Sequence, residues 1–385
     1  MRKRRYWWLI AGILLLCLVG ALAYQVIGRQ VNIYGVISGG GVADVTVPPG
    51  FAADIFAQGL NGPRFMALGP DGVLYVAERG NSRIVALPDD NGDGTADSIR
   101  VFADNLNGVH SLAFYQGAWY AGVPAGVIRL QDTSGAGVAN SRTTLIDNYP
   151  SGGQHNTRTV AFLPDGRMVV SIGSSCNNCE EEDPRRAAIL IYDGPETSGE
   201  QLFATGLRNA VGLAVHPETG ELWATDNGRD LMGDDLPPDT VRIIGQGVDY
   251  GWPYCHSGRI LDPELGFPGA CDGIEPPLAE IQAHSAPLGL VFYDGTLFPA
   301  EYQDDLFIAY HGSWNRSQPT GYKVVRLPLD GSQVAGPLED FATGWLKEND
   351  TADGRPAGVT VGSDGALYVS DDKGGIVYRI SYVGS

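Results

Sequence analysis

The stretch Met66-Ala67-Leu68-Gly69-Pro70-Asp71-Gly72-Val73-Leu74-Tyr75-Val76 decides the fold, because its pattern returns along the chain. It consists of an apolar run, a turn on Asp-Gly, and an aromatic residue flanked by apolar ones. The same phrase stands near the end as Val359-Thr360-Val361-Gly362-Ser363-Asp364-Gly365-Ala366-Leu367-Tyr368-Val369. Asp-Gly between two runs of β-formers is a strong signal for a hairpin, and a repeat of this kind determines the architecture.

Four degenerate copies of the phrase lie between these two and begin at Leu112, Val160, Leu213 and Leu290. Successive hairpins with a period of four strands are typical of a β-propeller, whose blades leave only short edges. Six copies therefore predict an all-β protein, a six-bladed β-propeller with four-stranded antiparallel blades. The alternative is an open β-sandwich with coincidental turns, and six aligned copies argue against it.

The N-terminal segment has the pattern of an export signal. Arg2-Lys3-Arg4-Arg5 precedes an apolar run from Tyr6 to Tyr24, and such a run either directs export or spans the bilayer uncleaved. We expect residues 1–27 to be a signal peptide or a membrane anchor, formed by a hydrophobic helix, and residues 28–43 to be a linker. Residues 44–385 then form the propeller outside the cytoplasm, in the periplasm or at the cell surface, either secreted or attached through the N-terminal helix.

The net charge limits which partners the protein can bind, and the cysteines suggest which kinds of covalent or metal site it has. The net charge of −19 disfavours nucleic acid as a partner. Four cysteines belong to the exported part: Cys176 and Cys179 in a C-x-x-C motif, and Cys255 and Cys271 on either side of a loop rich in glycine and proline. Two disulfides are the default outside the cytoplasm. A zinc site and a redox-active C-x-x-C pair are the alternatives.

Polar residues gather just ahead of the innermost strand of each predicted blade, where a propeller brings all blades together at one mouth of its central channel. These residues are Arg64, His110, Gln154-His155-Asn156-Thr157-Arg158, Arg208-Asn209, His284 and Arg355. Several cations with a histidine suit an anionic ligand and proton transfer. Each arginine alone could pair with a carboxylate and each histidine could be structural, so it is their convergence that predicts a functional site.

Two loops contain oxygen ligands suited to a hard cation. The first runs from Asp226 to Asp239 and combines carboxylates with glycines, as calcium sites do; the alternative is a solvated acidic loop. In the second, Asp89, Asn91, Asp93 and Asp97 take positions one, three, five and nine of a calcium loop. Its twelfth position is Arg100 rather than a bidentate Glu, so a calcium there would be structural and would need another ligand to close the site.

Five motifs resemble the sorbosone dehydrogenase family, which is related to the soluble quinoprotein glucose dehydrogenases and to the pyranose dehydrogenase propellers. The motifs are Gly173-Ser174-Ser175-Cys176-Asn177-Asn178-Cys179-Glu180, Thr205-Gly206-Leu207-Arg208-Asn209, Gly233-Asp234-Asp235-Leu236-Pro237-Pro238-Asp239, Tyr250-Gly251-Trp252-Pro253-Tyr254-Cys255 and Tyr310-His311-Gly312-Ser313-Trp314-Asn315-Arg316. The resemblance implies a six-bladed propeller that carries pyrroloquinoline quinone (PQQ) and calcium. It also implies oxidation of a hydroxyl or hydrated aldehyde carbon of a sugar.

The resemblance further implies a role for each residue of the mouth. His155 is similar to the general base that takes the substrate's hydroxyl proton as hydride leaves for the quinone, and Arg208 is similar to the cation beside the quinone oxygen. Contacts with the cofactor are implied for His110, Gln154, Asn209, His311, Arg316 and Arg355. The calcium of the cofactor is implied at the carbonyls of Gly228 and Arg229, in the region of Asp234 and Asp235.

Two departures from the glucose-type pattern concern the base and the cofactor. Gln154 stands before the base where those enzymes have Asp, so the base is expected to lack a charged orienting partner. The cofactor-binding Lys of those enzymes has no clear counterpart, although His311 or Arg316 could replace it. The resemblance therefore does not imply glucose as the substrate.

Together these observations predict a PQQ-dependent sugar or aldose dehydrogenase that passes electrons to an external acceptor, such as a cytochrome or the quinone pool. One alternative is a non-catalytic propeller that binds carbohydrate or protein at the cell surface. Another is a calcium-dependent hydrolase of the lactonase type. Such hydrolases place acidic and amide ligands in the channel, whereas this channel has His and Arg, which favours an anionic cofactor.

Overall fold

The computed structural model describes residues 41–384, and these form a six-bladed β-propeller, which confirms the predicted fold. The leader predicted at residues 1–27 and most of the predicted linker lie outside the described residues. Within residues 41–384, no helix has the length and apolar character needed to cross a membrane.

Strand β1 (Phe51–Gln58) precedes the first blade. Blade 1 consists of β2 (Pro63–Leu68), β3 (Leu74–Glu78), β4 (Arg83–Leu87) and β5 (Arg100–Ala103). Blade 2 consists of β6 (Ser111–Tyr115), β7 (Ala118–Val123), β8 (Gly126–Gln131) and β9 (Ser141–Ile146). Blade 3 contains β10 (Arg158–Phe162), β11 (Met168–Ile172), β12 (Ala188–Tyr192) and β13 (Gln201–Thr205). The described helices are two short 3₁₀ turns, Arg79–Asn81 in blade 1 and Ala300–Tyr302 in blade 5.

Blades 4 to 6 continue around the ring, with small additional sheets in blades 4 and 5. Blade 4 consists of β14 (Ala210–Val215), β15 (Leu222–Asp226), β16 (Asp239–Ile244) and β20 (Ala279–Ile281); between β16 and β20 the chain forms β17 (Val248–Asp249), which belongs to blade 3, and the hairpin of β18 (Cys255–His256) and β19 (Ile260–Leu261). Blade 5 consists of β21 (Pro287–Phe292), β22 (Leu306–Tyr310), β23 (Lys323–Leu327) and β26 (Glu339–Ala342), with the hairpin of β24 (Leu329–Asp330) and β25 (Gln333–Val334) before its last strand. Blade 6 contains β27 (Pro356–Val361), β28 (Leu367–Asp371) and β29 (Ile376–Tyr382). The innermost strands, which pack around the channel, are β2, β6, β10, β14, β21 and β27.

Blade 6 is completed by the first described strand. β1 pairs antiparallel with β29, from Phe51 opposite Tyr382 to Gln58 opposite Ile376. Phe51 at the start of β1 packs edge-on against four aromatic rings, with the centroid of Phe298 at 4.7 Å. The ring is therefore closed by pairing between strands from opposite ends of the described chain.

Blade 3 departs from the predicted four strands. β17, which follows β16 of blade 4 along the chain, pairs parallel to β13 at the outer edge of blade 3 and makes it five-stranded. The following insertion contains the hairpin of β18 and β19, and the Cys255–Cys271 disulfide closes it. This insertion lies beside the polar mouth, since Asp262 within it contacts Arg229.

Hydroxyl groups link neighbouring blades close to the channel. Four buried side chains each donate to a main-chain carbonyl of the next blade: Ser111 to Arg158 at 2.8 Å, Thr159 to Val211 at 2.5 Å, Thr225 to Leu288 at 2.7 Å and Ser370 to Arg64 at 2.6 Å. Inner strands of different blades share no ladder bonds, so these contacts fix the position of one blade on the next.

We expect Thr225→Val to destabilise the propeller by about 2–4 kcal/mol, because two buried groups lose their partner. The Thr225 hydroxyl accepts the Gly212 N–H at 2.9 Å and donates to the Leu288 carbonyl. Urea unfolding of both variants measures the effect, with Thr143→Val on the exposed face of β9 as the control. The control should change stability by less than about 0.5 kcal/mol; equal losses in the two variants would contradict the role of the Thr225 hydroxyl.

Candidate active site at the mouth of the channel

The polar residues predicted from the repeat meet at one end of the innermost strands. Arg64 is the second residue of β2, His110 directly precedes β6, and Arg355 directly precedes β27. The Arg64 Nε lies 3.3 Å from His110 Nδ1, and its Nη1 lies 3.5 Å from His311 Nε2. Residues from three blades therefore form one contact network.

Asp372 is the centre of this network, and the sequence analysis did not single it out. Its carboxylate contacts the Arg64 guanidinium and lies 2.9 Å from His311 Nε2. Burial raises the pKa of Asp372, but His311 and Arg64 outweigh it, so this pKa lies below the usual range. Burial, followed by the charge of Arg355, lowers the pKa of His311 to about 4. Near pH 7, Asp372 is therefore negatively charged and the His311 ring is neutral.

His110 is fully buried and keeps one ring nitrogen without a partner. Burial, reinforced by Arg64 and Arg79, holds its pKa well below the usual range, so the ring is neutral. Because Nδ1 accepts from Arg64, the proton is on Nε2. Within residues 41–384, Nε2 has no hydrogen-bond partner. A buried N–H donor without an acceptor costs free energy, so this position suits a ligand that brings an acceptor.

His155 precedes β10 by three residues, and its tautomer follows from its contacts. Nδ1 lies 2.8 Å from Ser174 Oγ and 3.1 Å from the Ser174 carbonyl, which can only accept. The Ser174 hydroxyl itself donates to the Cys176 carbonyl at 2.7 Å. Nδ1 therefore carries the proton, and Nε2 is left with an unprotonated lone pair.

Ser174, rather than a neighbour in sequence, orients the His155 ring. Gln154 has an exposed side chain, and its backbone N–H donates to the Ser175 carbonyl at 2.8 Å. Burial, followed by Arg208, lowers the pKa of His155 to about 3, with the Ser174 carbonyl opposing. The ring is therefore a neutral acceptor at physiological pH.

Arg208 precedes β14 and is held by five acceptors. Its Nε and Nη2 donate to the main-chain and side-chain oxygens of Asn177 at 3.0 and 2.9 Å, and Nη1 donates to the Gly228 carbonyl at 2.7 Å and the Asn227 carbonyl at 3.3 Å. Nη2 also pairs with Asp230 at 2.8 Å. The Arg208 side chain is 97% buried, and these contacts fix its guanidinium near His155.

Asn209 and His155 approach each other across Gly173. A Cβ at Gly173 would lie 2.5 Å from Asn209 Oδ1 and 2.6 Å from His155 Cβ, closer than real Cβ contacts. The backbone of Asn209 is anchored by Asp226, whose carboxylate accepts its N–H at 2.8 Å. Glycine at position 173 therefore lets a neutral histidine and an amide pack closely against the same stretch of backbone.

Arg355 offers a guanidinium whose hydrogen-bond partners are main-chain carbonyls. It donates to the carbonyls of His311 at 2.9 Å and Gly312 at 2.7 Å and lies 5.6 Å from the ring centre of Tyr322. Its backbone N–H donates to Asp371, the last residue of β28, at 2.7 Å. Within residues 41–384 no carboxylate lies within salt-bridge distance of its guanidinium, so its charge is available to an anion.

The loop after β15 contains the predicted calcium segment. The Gly228 N–H donates to Asp239 at 2.8 Å, while the Gly228 carbonyl accepts from Arg208. Burial raises the pKa of Asp239 to about 7. The Arg229 side chain contacts Asp262 and Glu264 of the insertion, so it is available to a metal only through its carbonyl.

Asp234 and Asp235 bind blade 5 instead of gathering with other carboxylates. Asp234 accepts the Ser317 N–H at 3.0 Å, and Asp235 pairs with Arg316 at 3.3 Å. Arg316 also donates to the carbonyls of Ala283 and Asp234. It therefore fastens two loops together, and its implied cofactor contact stays a prediction.

The acidic loop of blade 1 uses its side chains on its own backbone. Asp89 accepts the N–H groups of Gly92 and Gly94 at 2.8 and 2.9 Å, and Asp97 accepts that of Asp90 at 2.6 Å. No three of its carboxylates come within 4.8 Å of one another in the described chain. The structural calcium at Asp89, Asn91, Asp93 and Asp97 stays a prediction.

The cysteines form the two disulfides that the sequence analysis favoured. Cys176 pairs with Cys179, and Cys255 pairs with Cys271. Cys176, Cys179 and Glu181 are also the one cluster of three possible metal ligands among residues 41–384. Both of its sulfurs are used in the disulfide, so this cluster has no thiolates for zinc.

Several residues of the mouth were missed because their partners are distant in sequence. These are Ser174, Asn177, Asn315 and Asp372. His284, which was predicted at the mouth, lies 2.8 Å from the Gly233 carbonyl, and Asp230 of the predicted cation loop pairs with Arg208. The Asn315 Nδ2 donates to Asp230 Oδ1 at 3.1 Å and lies 3.2 Å from His284 Nδ1, so it links the two residues. Ser174, Asn177 and Asn315 lie in motifs that carried the resemblance, and these motifs were the sequence signal that could have identified them as residues of the site.

Comparison with known proteins identifies the family. The family model described as TrAA12-like matches residues 45–259 and 269–383. A PQQ-dependent pyranose dehydrogenase of Coprinopsis cinerea is 24% identical over 87% of this chain, and the chain spans 54% of that protein. A PQQ-dependent sugar dehydrogenase of Hypocrea jecorina is 25% identical over 87% of this chain and 90% of its own length.

A solved structure shows the same fold. The holo form of the PQQ domain of the Coprinopsis cinerea pyranose dehydrogenase superposes with a TM-score of 0.74 at 24% identity, covering 88% of this chain and 97% of that one. These matches confirm the resemblance to the pyranose dehydrogenase propellers that the motifs indicated.

We expect Asp372→Asn to lower the free energy of unfolding by about 3–5 kcal/mol at pH 7, because it leaves the buried Arg64 charge unpaired. The folded pKa of Asp372 lies below its unfolded value, so its contribution is present above about pH 4 and is lost at lower pH. The difference between the two proteins should therefore shrink as the pH falls below 4. Denaturant unfolding from pH 7 to pH 3 measures this.

The matched control for Asp372→Asn is Glu196→Gln, because the Glu196 side chain is 71% exposed in its pair with Arg129. An exposed pair should contribute about 0–1 kcal/mol. A loss in Asp372→Asn that is equally small, or independent of pH, would contradict the central role of Asp372.

Proposed function

This chain belongs to the TrAA12-like family, and from that premise we propose that it is a PQQ-dependent sugar dehydrogenase, with calcium as the second cofactor. Relatives that carry this name support the proposal. The observation that carries it is the composition of the mouth. A neutral His155 with an unprotonated Nε2 lies beside Arg208, and Arg355 has no carboxylate partner among residues 41–384. This combination suits an anionic cofactor and a proton transfer.

The donor set of the mouth fits PQQ, which has three carboxylates and a quinone. Arg355 provides a cationic donor, and His110 Nε2 provides a buried N–H that no described residue accepts. The N–H groups of Arg208 are used within the protein, so Arg208 contributes its positive charge and no donor. Because residue 173 is glycine, Asn209 and His155 both pack against its backbone and lie next to each other. We propose that His110, Asn209 and Arg355 hold the cofactor, with the charge of Arg208 beside it and with His311 held in place by Asp372.

The calcium is proposed at the carbonyls of Gly228 and Arg229. The Gly228 carbonyl accepts from Arg208 at 2.7 Å, and a carbonyl oxygen has a second lone pair for a cation. Asp239 holds the Gly228 N–H and therefore sets the direction of this peptide. Oxygen ligands of this type suit calcium, and the metal would act as a Lewis acid next to the cofactor.

When bound, PQQ supplies the two-electron acceptor for the hydride that leaves the oxidised sugar carbon. His155 accepts the hydroxyl proton at Nε2, while its Nδ1–H stays on Ser174. The low pKa of His155 keeps Nε2 unprotonated before the reaction, and anionic charge brought into the mouth would raise it towards the working pH. Arg208, held by Asn177 and Asp230, stabilises negative charge that develops beside it.

Two further parts of the proposal concern the surroundings of the enzyme. The Cys176–Cys179 and Cys255–Cys271 disulfides support a location outside the cytoplasm, in an oxidising compartment. Electrons would then pass to an external acceptor, a cytochrome or the quinone pool, and the substrate would be a free sugar or aldose.

The test combines binding with turnover. Isothermal titration of PQQ in the presence of calcium should show tight binding, and a panel of sugars should show oxidation coupled to a dye. His155→Ala should lower turnover by about 10²–10⁴-fold, the usual contribution of a general base, with PQQ affinity changed little. No PQQ binding would contradict the cofactor, and full turnover in His155→Ala would remove His155 as the base.

A control for the loss of a histidine is His216→Asn. His216 lies away from the mouth, where Nδ1 accepts the N–H groups of Glu218 and Thr219. Asn preserves an acceptor at this place, so turnover should stay close to that of the wild type. Equal losses in His155→Ala and His216→Asn would indicate general destabilisation.

Ser174 is expected to act as a positioning residue for His155. In the cofactor-free protein, the His155 ring should not titrate between pH 5 and pH 8 by NMR, because burial and Arg208 lower its pKa to about 3. Ser174→Asp adds a negative charge at Nδ1 and should raise that pKa. Ser174→Ala removes one acceptor and should lower kcat about tenfold, the cost of one hydrogen bond, with KM little changed.

The NMR titration distinguishes positioning from a purely structural role. If Ser174→Asp leaves the titration of His155 unchanged, Ser174 does not control the ring. Ser332→Ala, which removes a hydroxyl bonded to Glu221 outside the mouth, is the matched control and should leave both kcat and the titration unchanged.

A further inference from the structure

The C-x-x-C motif of blade 3 has no role in the mechanism proposed above, yet its loop contacts both central groups of that mechanism. Ser174, just before the motif, orients the His155 ring, and Asn177, inside the motif, accepts from Arg208. His155 lies just before β10 of blade 3, whereas Arg208 lies just before β14 of blade 4. One short segment between β11 and β12 therefore contacts the proposed base and the proposed cation, although the two belong to different blades.

Ser174 connects the two blades through its main chain and its side chain. Its N–H donates to the Arg208 carbonyl at 2.8 Å, and its hydroxyl lies 2.8 Å from His155 Nδ1. The same hydroxyl donates to the Cys176 carbonyl at 2.7 Å. The orientation of the base therefore depends on the position of the Cys176 carbonyl.

Asn177 uses both ends of its side-chain amide at the mouth. Its main-chain oxygen and Oδ1 accept from Arg208 Nε and Nη2 at 3.0 and 2.9 Å. Oδ1 also accepts the Asp230 N–H at 2.8 Å, and Nδ2 donates to the Asp230 carbonyl at 3.0 Å. The position of this one residue therefore determines two acceptors of Arg208 and anchors the loop after β15.

The disulfide is the local constraint on this segment. Residues 173–187 contain neither helix nor strand, and no main-chain hydrogen bond joins two residues of 174–180 in the described chain. The Cys176–Cys179 disulfide closes the backbone around Asn177. Because a loop without main-chain hydrogen bonds otherwise keeps much of its conformational freedom, this covalent link is what restricts the backbone of Asn177 from within the loop.

The second disulfide provides an internal comparison. The chain between Cys255 and Cys271 contains the hairpin of β18 and β19, and a main-chain hydrogen bond joins Gly266 to Asp262 at 3.0 Å. This longer loop therefore has hydrogen bonds of its own that define its shape. None of the acceptors of Arg208 belongs to it.

We propose that the Cys176–Cys179 disulfide and Asn177 are positioning residues that fix the separation between the base His155 and the cation Arg208. The dehydrogenase needs these two groups in register, because the hydroxyl proton goes to one and negative charge develops beside the other. This effect on turnover rests on the proposed function. The order of the Arg208 side chain in the cofactor-free protein does not rest on it.

The order of Arg208 can be measured by NMR without cofactor. Its Nε–H donates to the Asn177 carbonyl, so at pH 7 this proton should exchange slowly with water, and Arg208→Lys assigns the signal by its loss. Cys176→Ala/Cys179→Ala should accelerate the exchange at least about tenfold, the effect of losing one hydrogen bond to a charged group.

The matched control for the loss of a disulfide is Cys255→Ala/Cys271→Ala. This disulfide closes a longer loop, with a sequence separation of 16 instead of 3, so its removal should lower the thermal unfolding midpoint at least as much. The exchange of the Arg208 Nε–H should nevertheless stay at the wild-type rate. A purely structural role of the first disulfide would not produce this difference.

Asn177→Ala tests the residue inside the disulfide. It removes the Oδ1 acceptor of Arg208 and should accelerate the same exchange. Asn178→Ala, which removes the neighbouring amide with its contact to Asp262 at 3.2 Å, is the control and should leave the exchange unchanged. If Cys176→Ala/Cys179→Ala does not fold, Cys179→Ser replaces it with the same expected direction.

Turnover of the enzyme loaded with PQQ gives the second readout. The kcat of Cys176→Ala/Cys179→Ala should fall at least about tenfold with KM for the sugar little changed, because the reacting groups lose their alignment. A wild type that binds no PQQ or oxidises no sugar would count against the proposed function alone. Unchanged Arg208 exchange in this variant, or equal acceleration in Cys255→Ala/Cys271→Ala, would overturn the positioning role of the disulfide.

Discussion

The mouth of this propeller depends on buried guanidinium groups that are solvated by main-chain carbonyls. Arg158, with no exposed surface, donates to the carbonyls of His155, Thr157 and Pro150. Arg186 donates to those of His155, Gly173 and Gly152. Arg355 follows the same rule, whereas Arg208 combines main-chain carbonyls with the Asp230 carboxylate. The guanidinium N–H groups supply hydrogen bonds to loop carbonyls that would otherwise be buried without a partner, and the carbonyls in turn stabilise the buried positive charges.

This arrangement has two effects, one mechanical and one electrostatic. Each guanidinium donates to carbonyls of more than one loop position. Arg158 and Arg186 hold the main-chain carbonyl of His155, and Ser174 holds its ring. Carbonyl dipoles solvate a charge without cancelling it, unlike carboxylates. Arg158, Arg186 and Arg355 therefore keep positive charge near the mouth although the whole chain has a net charge of −19, and local charge of this kind favours an anionic ligand.

Features that depend on residues close together in sequence could be predicted, whereas contacts between residues far apart in sequence could not. The Asp-Gly phrase predicted six blades because hairpins form between neighbours in sequence, and the repeat placed His110, Arg208 and Arg355 at one mouth. The fifth strand of blade 3 was not predicted, since β17 is two residues long and pairs across blades. The orientation of His155 was expected to suffer from Gln154, whereas Ser174, nineteen residues away, orients the ring. Contacts such as Asp372 with Arg64, 308 residues apart, leave no local pattern.

The pairing of β1 with β29 has a consequence for the order in which the molecule can form. Phe51 and Tyr382 are among the most distant partners possible within the described chain, so the last blade cannot assemble until nearly all of that chain is available. Topologies dominated by such non-local contacts fold slowly, because loop-closure entropy must be overcome before the contacts form. Up to that moment, blade 6 lacks its outer strand and exposes an unpaired edge. Pairing of β1 with β29 therefore does more than complete blade 6, because it covers an edge at which another chain can pair.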